Sequence, residues 1–315
     1  MHPRVSVLMT AYNREPFITE AIESVLAQTF TDFELIIVDD GSRDRTVEIA
    51  RSYAAQDRRI RVHQNEKNLG QFQNRNYAAS LASGEFVKYH DSDDVLYPHC
   101  LAIMTEMLAA YPEASVALSH EWPGGPLPML LTPRLCYERE FHGRGLFGLG
   151  PPSAMFRRDR FLNLGCFEVA GISSDAILWL RICKTENVLL VPAGLYWYRE
   201  HTGQQMVSPA ALRDRALVSK RVWETLNADD CPLDDAGRHL AKINWTWSLA
   251  KEIYYDLRAG RLSLAWFRYR QSGLRMRDWF RYLRRQKRNP FSGTPLHPDG
   301  SLIFHRYQGL SPMRD

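Results

Sequence analysis

The sequence lacks paired cysteines, long apolar runs and the leading features of a secreted protein. Its five cysteines are widely spaced and form no CxxC pair, so neither a zinc site nor a dithiol redox site is indicated. No uninterrupted apolar stretch reaches about 18 residues, and no charged and apolar leader precedes the strand-like run that begins at Val5. We therefore expect a cytoplasmic protein, and leave open a peripheral location at the inner face of the membrane.

Two nucleotide-binding motifs are also missing. The chain has no GxGxxG motif, which argues against a dinucleotide enzyme, and TAYNREP (10–16) is not the glycine-rich basic loop of a nucleotidyltransferase. The formal charge of +4 is only mildly basic and by itself says little about nucleic acid or membranes. We expect no nucleic-acid partner. With 315 residues, of which 45% are hydrophobic, the chain can form one large domain with a smaller appendage.

What the sequence does contain is an alternation of short apolar runs and helical patterns. The predicted strands are VSVLMTAYN (5–13), FELIIVDDGS (33–42), RIRVHQN (59–65) and GEFVKYH (84–90). Apolar residues spaced by three and four positions between the first two runs indicate a helix, and similar segments follow the next two. This order predicts an α/β domain with a mainly parallel sheet flanked by helices.

Acidic clusters follow two of the predicted strands. Asp39 and Asp40 end the second, and Asp91, Asp93 and Asp94 follow the fourth. Ligands of such sheets bind beyond the carboxyl ends of the strands, so one site could be lined by both clusters. Unpaired carboxylates repel one another, and a divalent cation with a substrate phosphate would balance their charge. A solvated acidic loop that caps the next helix remains the alternative.

The rest of the chain is organised differently. Residues 120–152 are rich in Gly and Pro and predict a long loop on the acceptor side of a site, whereas SSDAILWLRICKTE (173–186) predicts a buried helix with Asp175 near its start. Beyond about residue 207 the pattern is helical, basic and aromatic. We therefore divide the chain into a domain at 1–207 and a C-terminal helical region at 208–315.

This ordered series resembles the family 2 glycosyltransferases of the GT-A fold. The match comprises Tyr12-Asn13, the Ser24 to Gln28 helix, Asp39-Asp40-Gly41-Ser42, Asp44, Thr46, Asn68-Leu69-Gly70, Arg75-Asn76 and Asp91-Ser92-Asp93-Asp94, and it extends more weakly to about residue 205. The resemblance implies a Rossmann-like, nucleotide-sugar-binding catalytic domain over 1–207. It also implies transfer of a sugar from a nucleoside-diphosphate donor to a hydroxyl acceptor, with inversion of the anomeric configuration.

The resemblance assigns the donor nucleotide to the ends of the first, second and fourth strands. The implied nucleotide-binding residues are Thr10, Ala11, Tyr12, Asp39, Asp40, Arg75 and Asp91. Arg75 would contact the diphosphate or the sugar, because a guanidinium offers several fixed donors to phosphate oxygens. Its alternative is an ordinary arginine on a helix surface.

The resemblance also implies a divalent metal ion, Mn²⁺ or Mg²⁺. Asp93 would bind it, and Asp91 would contact the ribose, the metal or its water. His201 in YREHTGQQMVS is a candidate contact to the metal or to the diphosphate. A lone histidine with a structural role is the alternative for His201. Lys88 and His90 stand at strand positions where apolar residues are usual, and Lys88 could either neutralise the acidic cluster or extend from a strand edge.

The general base of the family is the Asp of a Glu-Asp pair before a Leu-Trp-Leu-Arg helix. Here Asp175 occupies that position and Ser174 replaces the Glu. Removing one acidic neighbour leaves the implied base in place. A helix-capping role is the alternative for Asp175.

We therefore expect a glycosyltransferase that uses a UDP-sugar and acts in the synthesis of a bacterial surface glycan or glycoconjugate. Its acceptor would be a glycan, a lipid-linked sugar or another hydroxyl compound. A catalytically degenerate sugar-binding protein and a haloacid-dehalogenase-like phosphohydrolase, whose DxDx(T/V) motif fits DSDDV, are the rivals. The basic and aromatic segment 261–288 predicts either peripheral membrane contact or packing on the catalytic domain.

Overall fold

A computed structural model describes residues 2–120, 126–142, 145–171, 173–201, 209–272, 274–275 and 277. The chain forms two compact units, each made of several segments. The first comprises 1–136, 149–169 and 181–204, and the second comprises 137–148, 170–180 and 205–315. Residue 175 therefore belongs to the second unit, although it precedes position 207.

The parallel part of the sheet is formed by the first four strands. These are β1 (Val5–Ala11), β2 (Phe33–Asp39), β3 (Ile60–Gln64) and β4 (Phe86–Asp91), in the order β3-β2-β1-β4. They alternate with α1 (Ile18–Leu26), α2 (Thr46–Ala54) and α3 (Gln71–Ser80). β1 and β2 are mostly apolar because both faces of a parallel sheet are covered, and the alternation of strands and helices confirms the predicted α/β architecture.

Four further strands extend this sheet beyond β4. The chain continues through β5 (Val95–Leu96), α4 (Cys100–Ala110), β6 (Ala114–Ser119), β7 (Met129–Leu131), α5 (Pro133–His142), a 3₁₀ turn (Pro151–Ser153), β8 (Ala154–Arg157), α6 (Arg158–Asn163), α7 (Ser174–Thr185), β9 (Asn187–Val191) and β10 (Tyr196–Trp197). The full order is β3-β2-β1-β4-β8-β6-β9-β7, with β8 and β7 antiparallel to their neighbours. A separate pair, β10 and β5, is antiparallel and follows the acidic loop after β4.

The expected loop at 120–152 is partly regular. Met129–Leu131 joins the edge of the sheet against β9, and Pro133–His142 forms a helix of ten residues. The surrounding Gly and Pro residues hid these short elements, whose apolar runs are only three or four residues long. Residues 121–125 and 143–144 of the expected loop lie outside the described residues.

The second unit carries the C-terminal helices α8 (Pro209–Asn227), α9 (Asp235–Arg258) and α10 (Leu262–Gln271), which confirms the helical pattern predicted after residue 207. Asp234 caps α9 by accepting a 2.8 Å hydrogen bond from the Gly237 amide. None of the described helices is both long enough and apolar enough to cross a membrane. Within the predicted membrane segment, 278–288 lies outside the described residues.

Lys88 is completely buried on β4, so it does not extend from a strand edge. β4 lies between β1 and β8, and the Lys88 ammonium donates to the carbonyls of Tyr89, at 3.1 Å, and Pro152. Burial lowers the pKa of Lys88, whereas the charges of nearby acids, among them Asp91, favour its ammonium form. The Pro152 bond ties the chain before β8 to the strand that ends in the acidic loop.

Candidate active site

The register of the sheet brings the ends of three strands together. Thr10 on β1 lies opposite Asp91 on β4, and Ala11 lies opposite Asp39 on β2. Both acidic clusters therefore stand at one edge of the sheet, next to the end of β1. This is the edge at which α/β sheets bind ligands.

The two loops that leave β1 and β2 are tied together by bonds from backbone amides to side chains. The amide of Asn13 donates to Ser42 Oγ at 2.8 Å, that of Arg14 to Thr46 Oγ1 at 2.8 Å, and that of Glu15 to Asp44 Oδ2 at 3.1 Å. Asn13 takes a positive φ of 51° in this turn. These bonds hold the loop after β1 and the loop after β2 in a fixed arrangement.

Asp39 ends β2 with its carboxylate turned back on the following loop. Its Oδ1 accepts hydrogen bonds from the amides of Gly41, at 3.0 Å, and Ser42, at 2.9 Å, and the Ser42 hydroxyl donates to Oδ2. Gly41 has φ of +79°, and a Cβ there would approach the Asn68 amide to 3.3 Å, which explains the glycine. Contact of Asp39 with a nucleotide base remains a prediction.

Asp40 has a different environment from Asp39. Oδ1 accepts from the side-chain amide of Asn65 at 2.9 Å and from the Leu69 backbone amide at 2.8 Å, and Oδ2 accepts from the Gly70 amide at 2.9 Å. The side chain is buried. These three bonds order the segment before α3, a sufficient structural reason for a carboxylate at this position.

Arg75 links the ends of β1 and β4. Its guanidinium donates to Thr10 Oγ1 at 2.7 Å and to Asp91 Oδ1 at 2.6 Å, and the side chain is buried. Arg75 is therefore not a surface arginine on a helix. Its bonds position Asp91, while its predicted contact with a diphosphate stays a prediction.

Two side chains contact the same carboxylate oxygen of Asp93. Arg14 Nε donates to Asp93 Oδ2 at 3.0 Å, and His201 Nε2 lies 3.0 Å from the same oxygen. The His201 ring packs against Phe17 with a centroid separation of 4.7 Å. The structure thus brings together two of the predicted metal ligands, Asp93 and His201, and adds Arg14, which the sequence reasoning missed although it follows Tyr12-Asn13 directly.

Arg199 holds the acidic loop from the side of β10, and it too was missed. Its Nε donates to the Asp93 carbonyl at 2.9 Å, and its backbone amide donates to Asp94 Oδ1 at 3.0 Å. The guanidinium carbon lies 4.6 Å from the Trp197 ring centroid and 5.3 Å from that of Phe17. The spacing of two residues before His201 was the only sequence signal for this contact.

The electrostatics of the loop favour an added cation. Burial, together with the carboxylate of Asp91, raises the pKa of Asp94 to about 8, although the amide of Arg199 opposes the rise. Burial also raises the pKa of Asp91, against the influence of Arg75. Among the described residues, Asp94 Oδ2 is a buried oxygen that accepts no hydrogen bond.

The donor set fits Mn²⁺ or Mg²⁺ in chemical type. Carboxylates and an imidazole suit these ions, and a diphosphate with water commonly completes the coordination of Mg²⁺ in enzymes. Within the described ranges, however, no three side chains of His, Cys, Asp or Glu are grouped to hold a metal ion. Asp91 faces Arg75 and Asp93 faces Arg14 and His201, so Asp93 with His201 is the most compact pair of candidate ligands.

Asp175 stands in the first turn of α7, where we expected it. Its Oδ1 accepts a 2.8 Å bond from the Ala176 amide. The Ser174 hydroxyl donates to the Gly171 carbonyl at 2.8 Å and accepts from the Ala170 amide at 3.1 Å, so this serine stabilises the turn that begins the helix. Asp175 belongs to the second unit, and its role as a base remains a prediction.

The sequence is similar to known glycosyltransferases. The sequence profile described as Glycosyl transferase family 2 matches residues 6–158. Over 216 residues the chain is 44% identical to the uncharacterized glycosyltransferase EpsJ of Bacillus subtilis, a match that covers 64% of this chain and 62% of EpsJ. The chain spans less than two thirds of the length of the curated relatives it matches.

Solved structures share the fold at low sequence identity. TarS of S. aureus, in complex with UDP-GlcNAc, is 21% identical with a TM-score of 0.62, and the match covers 90% of this chain and 91% of that one. The mannosyltransferase PcManGT of Pyrobaculum calidifontis, in complex with GDP-Man and Mn²⁺, is 18% identical with a TM-score of 0.57 over 90% and 84% of the two chains. These likenesses confirm the predicted GT-A architecture.

The phosphohydrolase alternative does not survive these findings. Its acidic motif follows the first strand of the domain, whereas Asp91 ends β4, after three other parallel strands. The profile match begins in β1 and includes both acidic clusters. Residues 6–158 thus resemble glycosyl transferase family 2.

Proposed function

We propose that the protein is a metal-dependent, inverting glycosyltransferase that moves a sugar from a nucleoside diphosphate, with UDP preferred, to an acceptor hydroxyl. The observation that carries the proposal is the meeting of Asp39, Asp91 and Asp93 at one edge of the sheet beside the end of β1. That edge offers carboxylates and a nearby imidazole where a nucleotide and a cation would bind. A surface glycan or glycoconjugate is the proposed product.

In this proposal the nucleoside lies along the end of β1, from Thr10 to Tyr12, with Asp39 facing the base. Part of the Tyr12 side chain is exposed at that point. Asp91, held by Arg75, is directed to the ribose or to a metal-bound water. This surface is preorganised for binding, because hydrogen bonds within the protein already orient these side chains.

Asp93 and His201 are the residues that would hold Mn²⁺ or Mg²⁺. When bound, such an ion acts as a Lewis acid that stabilises the charge developing on the departing nucleoside diphosphate. Arg199 keeps Asp93 in place through its carbonyl, and Phe17 supports the His201 ring. Both contacts limit the movement of the two candidate ligands.

We propose Asp175 as the general base. A carboxylate in this role accepts the proton of the acceptor hydroxyl as that oxygen attacks the anomeric carbon from the side opposite the leaving group. Such an in-line displacement inverts the anomeric configuration. Ser174 keeps the start of α7 in shape, which would preserve the position of the base without the acidic neighbour that the family usually has.

A two-step experiment tests the proposed function. The first step is a thermal-shift screen of UDP, GDP and dTDP with and without Mn²⁺, since a ligand that binds the folded state raises its stability. The second is a transfer assay with a panel of nucleotide sugars and acceptors. Asp93→Ala should lose metal-dependent nucleotide binding and transfer, whereas Asp175→Asn should bind the nucleotide normally and lose transfer by about two to four orders of magnitude.

Two outcomes of that experiment would contradict the proposal. Transfer that survives both substitutions would refute the site. Nucleotide-sugar binding by the wild type, without turnover on any acceptor, would favour the degenerate binding protein that the change at Ser174 suggests. The variant Asp159→Asn, on the exposed surface of α6, is the matched control and should behave like the wild type.

We further propose that α10 makes peripheral contact with an anionic membrane. Its Leu262 and Trp266 side chains are 65% and 62% exposed, and they stand one helical turn apart. Residues 257–277 contain no acidic residue and six arginines, of which Arg261 and Arg268 pair with Asp256 just before this range and Arg268 is buried. An exposed Trp beside arginines suits the headgroup region of an anionic bilayer.

A further inference from the structure

Arg14 lies between the two halves of the proposed donor site. Its Nη1 donates to the carbonyls of Tyr12 and Asn13, each at 3.1 Å, at the end of β1. Its Nε donates to Asp93 Oδ2 at 3.0 Å, on the metal side. One guanidinium therefore spans the distance from the nucleoside-binding backbone to the candidate metal ligand.

The contact at Asp93 competes with metal binding through the same oxygen. A guanidinium keeps its charge at all ordinary pH values, and its N–H directs a proton at Oδ2, one of the two oxygens through which Asp93 could bind a metal ion. Two like charges a few ångströms apart in a partly buried site repel each other. A metal ion at Asp93 would therefore weaken the Arg14 contact and favour the release of its guanidinium.

The backbone of Arg14 is fixed, whereas its side chain reaches the protein surface. The Arg14 amide is bonded to Thr46 Oγ1 at 2.8 Å, whereas the side chain is partly exposed, at 23%. Once displaced, the guanidinium needs another anion within reach of the end of β1. The diphosphate of the donor is the anion that arrives there, and its oxygens suit the geometry of an arginine.

We propose that Arg14 is an exchangeable cation of the donor site. It neutralises Asp93 while no donor is bound, and it transfers to the diphosphate when Asp93 takes up the metal ion. This inference rests on the proposed function, because it requires a nucleoside-diphosphate ligand. It adds to that function a residue with opposite effects on metal affinity and on nucleotide affinity.

The test compares the full-length wild type with Arg14→Met. Mn²⁺ binding without nucleotide is followed by the electron paramagnetic resonance of free Mn²⁺. Binding of the nucleoside diphosphate with the largest thermal shift is measured by calorimetry at saturating Mn²⁺. Arg14→Met should bind Mn²⁺ about tenfold more tightly and the nucleotide about tenfold more weakly, the usual effect of one charge-assisted hydrogen bond.

Two further variants make the result specific. Arg4→Met removes an arginine that pairs through Nε with Glu85 at 3.3 Å, at the opposite edge of the sheet, and should change neither affinity. Arg14→Lys keeps the charge without the fork of donors, so it should restore part of the nucleotide affinity. If Arg14→Met unfolds, Arg14→Gln is measured in its place with the same expectation.

The outcomes separate this inference from the proposed function. If Arg14→Met binds both Mn²⁺ and the nucleotide more weakly, or binds both as the wild type does, the proposed exchange is wrong. The proposed transferase function would be unaffected by that result. Nucleotide binding by the wild type that does not depend on Mn²⁺ would also overturn it. A wild type that binds none of the three nucleoside diphosphates would refute the proposed function and the exchange together.

Discussion

Replacing Arg199 by Ala should loosen the acidic loop without unfolding the sheet. The substitution removes the hydrogen bond from Nε to the Asp93 carbonyl and the stacking of the guanidinium on Trp197 and Phe17. It leaves the backbone amide that bonds Asp94 Oδ1. The perturbation is therefore local to the loop after β4.

The size of the effect follows from these contacts. A hydrogen bond to a charged group contributes about 1.5–3 kcal/mol, and the stacking of a cation on aromatic rings contributes about 0.5–2 kcal/mol. The ion pair from Nη2 to Glu20 adds little, because the Glu20 side chain is 59% exposed. The free energy of local opening should fall by about 2–5 kcal/mol.

Hydrogen exchange measures that opening directly. Amides of the 91–96 segment should exchange at least about 30-fold faster in Arg199→Ala, since each 1.4 kcal/mol is a factor of ten. Arg199→Lys should lie between, because it keeps the charge but not the Nε donor. The exposed Arg51→Ala on α2 is the control. If the amides of 91–96 exchange hydrogen as slowly as in the wild type, or if amides across the whole sheet exchange equally fast, Arg199 does not stabilise this loop locally.

Two further predictions concern other parts of the chain. Burial opposes the ionisation of Glu34, but hydrogen bonds from Ser6, Ser83 and Arg61 outweigh it and hold the pKa of this carboxyl below its usual 4.5. Glu34→Gln should therefore lower the free energy of unfolding by about 1–3 kcal/mol at pH 7. The difference between variant and wild type should shrink as the pH falls below 4.5 and through the lower pKa of the folded state. If acid denaturation shows the same difference below that pKa, the charge argument is wrong. Co-sedimentation with phosphatidylglycerol vesicles should fall strongly for the Leu262→Ser and Trp266→Ala double variant but not for Leu240→Ser, an exposed leucine on α9; a wild type that ignores these vesicles would remove the membrane proposal.

The parallel half of the fold was predictable because its signals are local. β1 and β2 are short apolar runs that end in polar residues, and α1 between them carries its own apolar spacing. Such patterns need no knowledge of distant contacts. The carboxyl-edge location of Asp39 and Asp91 followed from strand order alone.

The parts that sequence reasoning missed depend on distant contacts. Arg14 and Asp93 are 79 positions apart, and Arg199 bonds a carbonyl 106 positions away. No spacing rule links such pairs. The strand at Met129–Leu131 is only three residues long and is stable because β9 pairs with it, so its own pattern was too short to separate from a loop.

Lys88 was ambiguous for a related reason. Its position on a strand is visible in the sequence, but the neighbours of that strand are not. β8, which covers one side of β4, lies more than sixty residues later and runs antiparallel to it. The pairing of β8 with β4 brings the Lys88 ammonium to the Pro152 carbonyl.

The bonds that tie the β1 and β2 loops also determine how the free energy of donor binding divides. The nucleoside would meet a surface whose amides and side chains already have partners, such as Asn13 with Ser42, so little ordering entropy is lost there. The diphosphate would instead gain its contact with Arg14 only after the metal ion has displaced that guanidinium from Asp93. A nucleoside or nucleoside monophosphate should therefore retain an unusually large share of the donor's affinity, and the sugar-bearing end of the donor should contribute its binding free energy mainly after the metal ion has arrived.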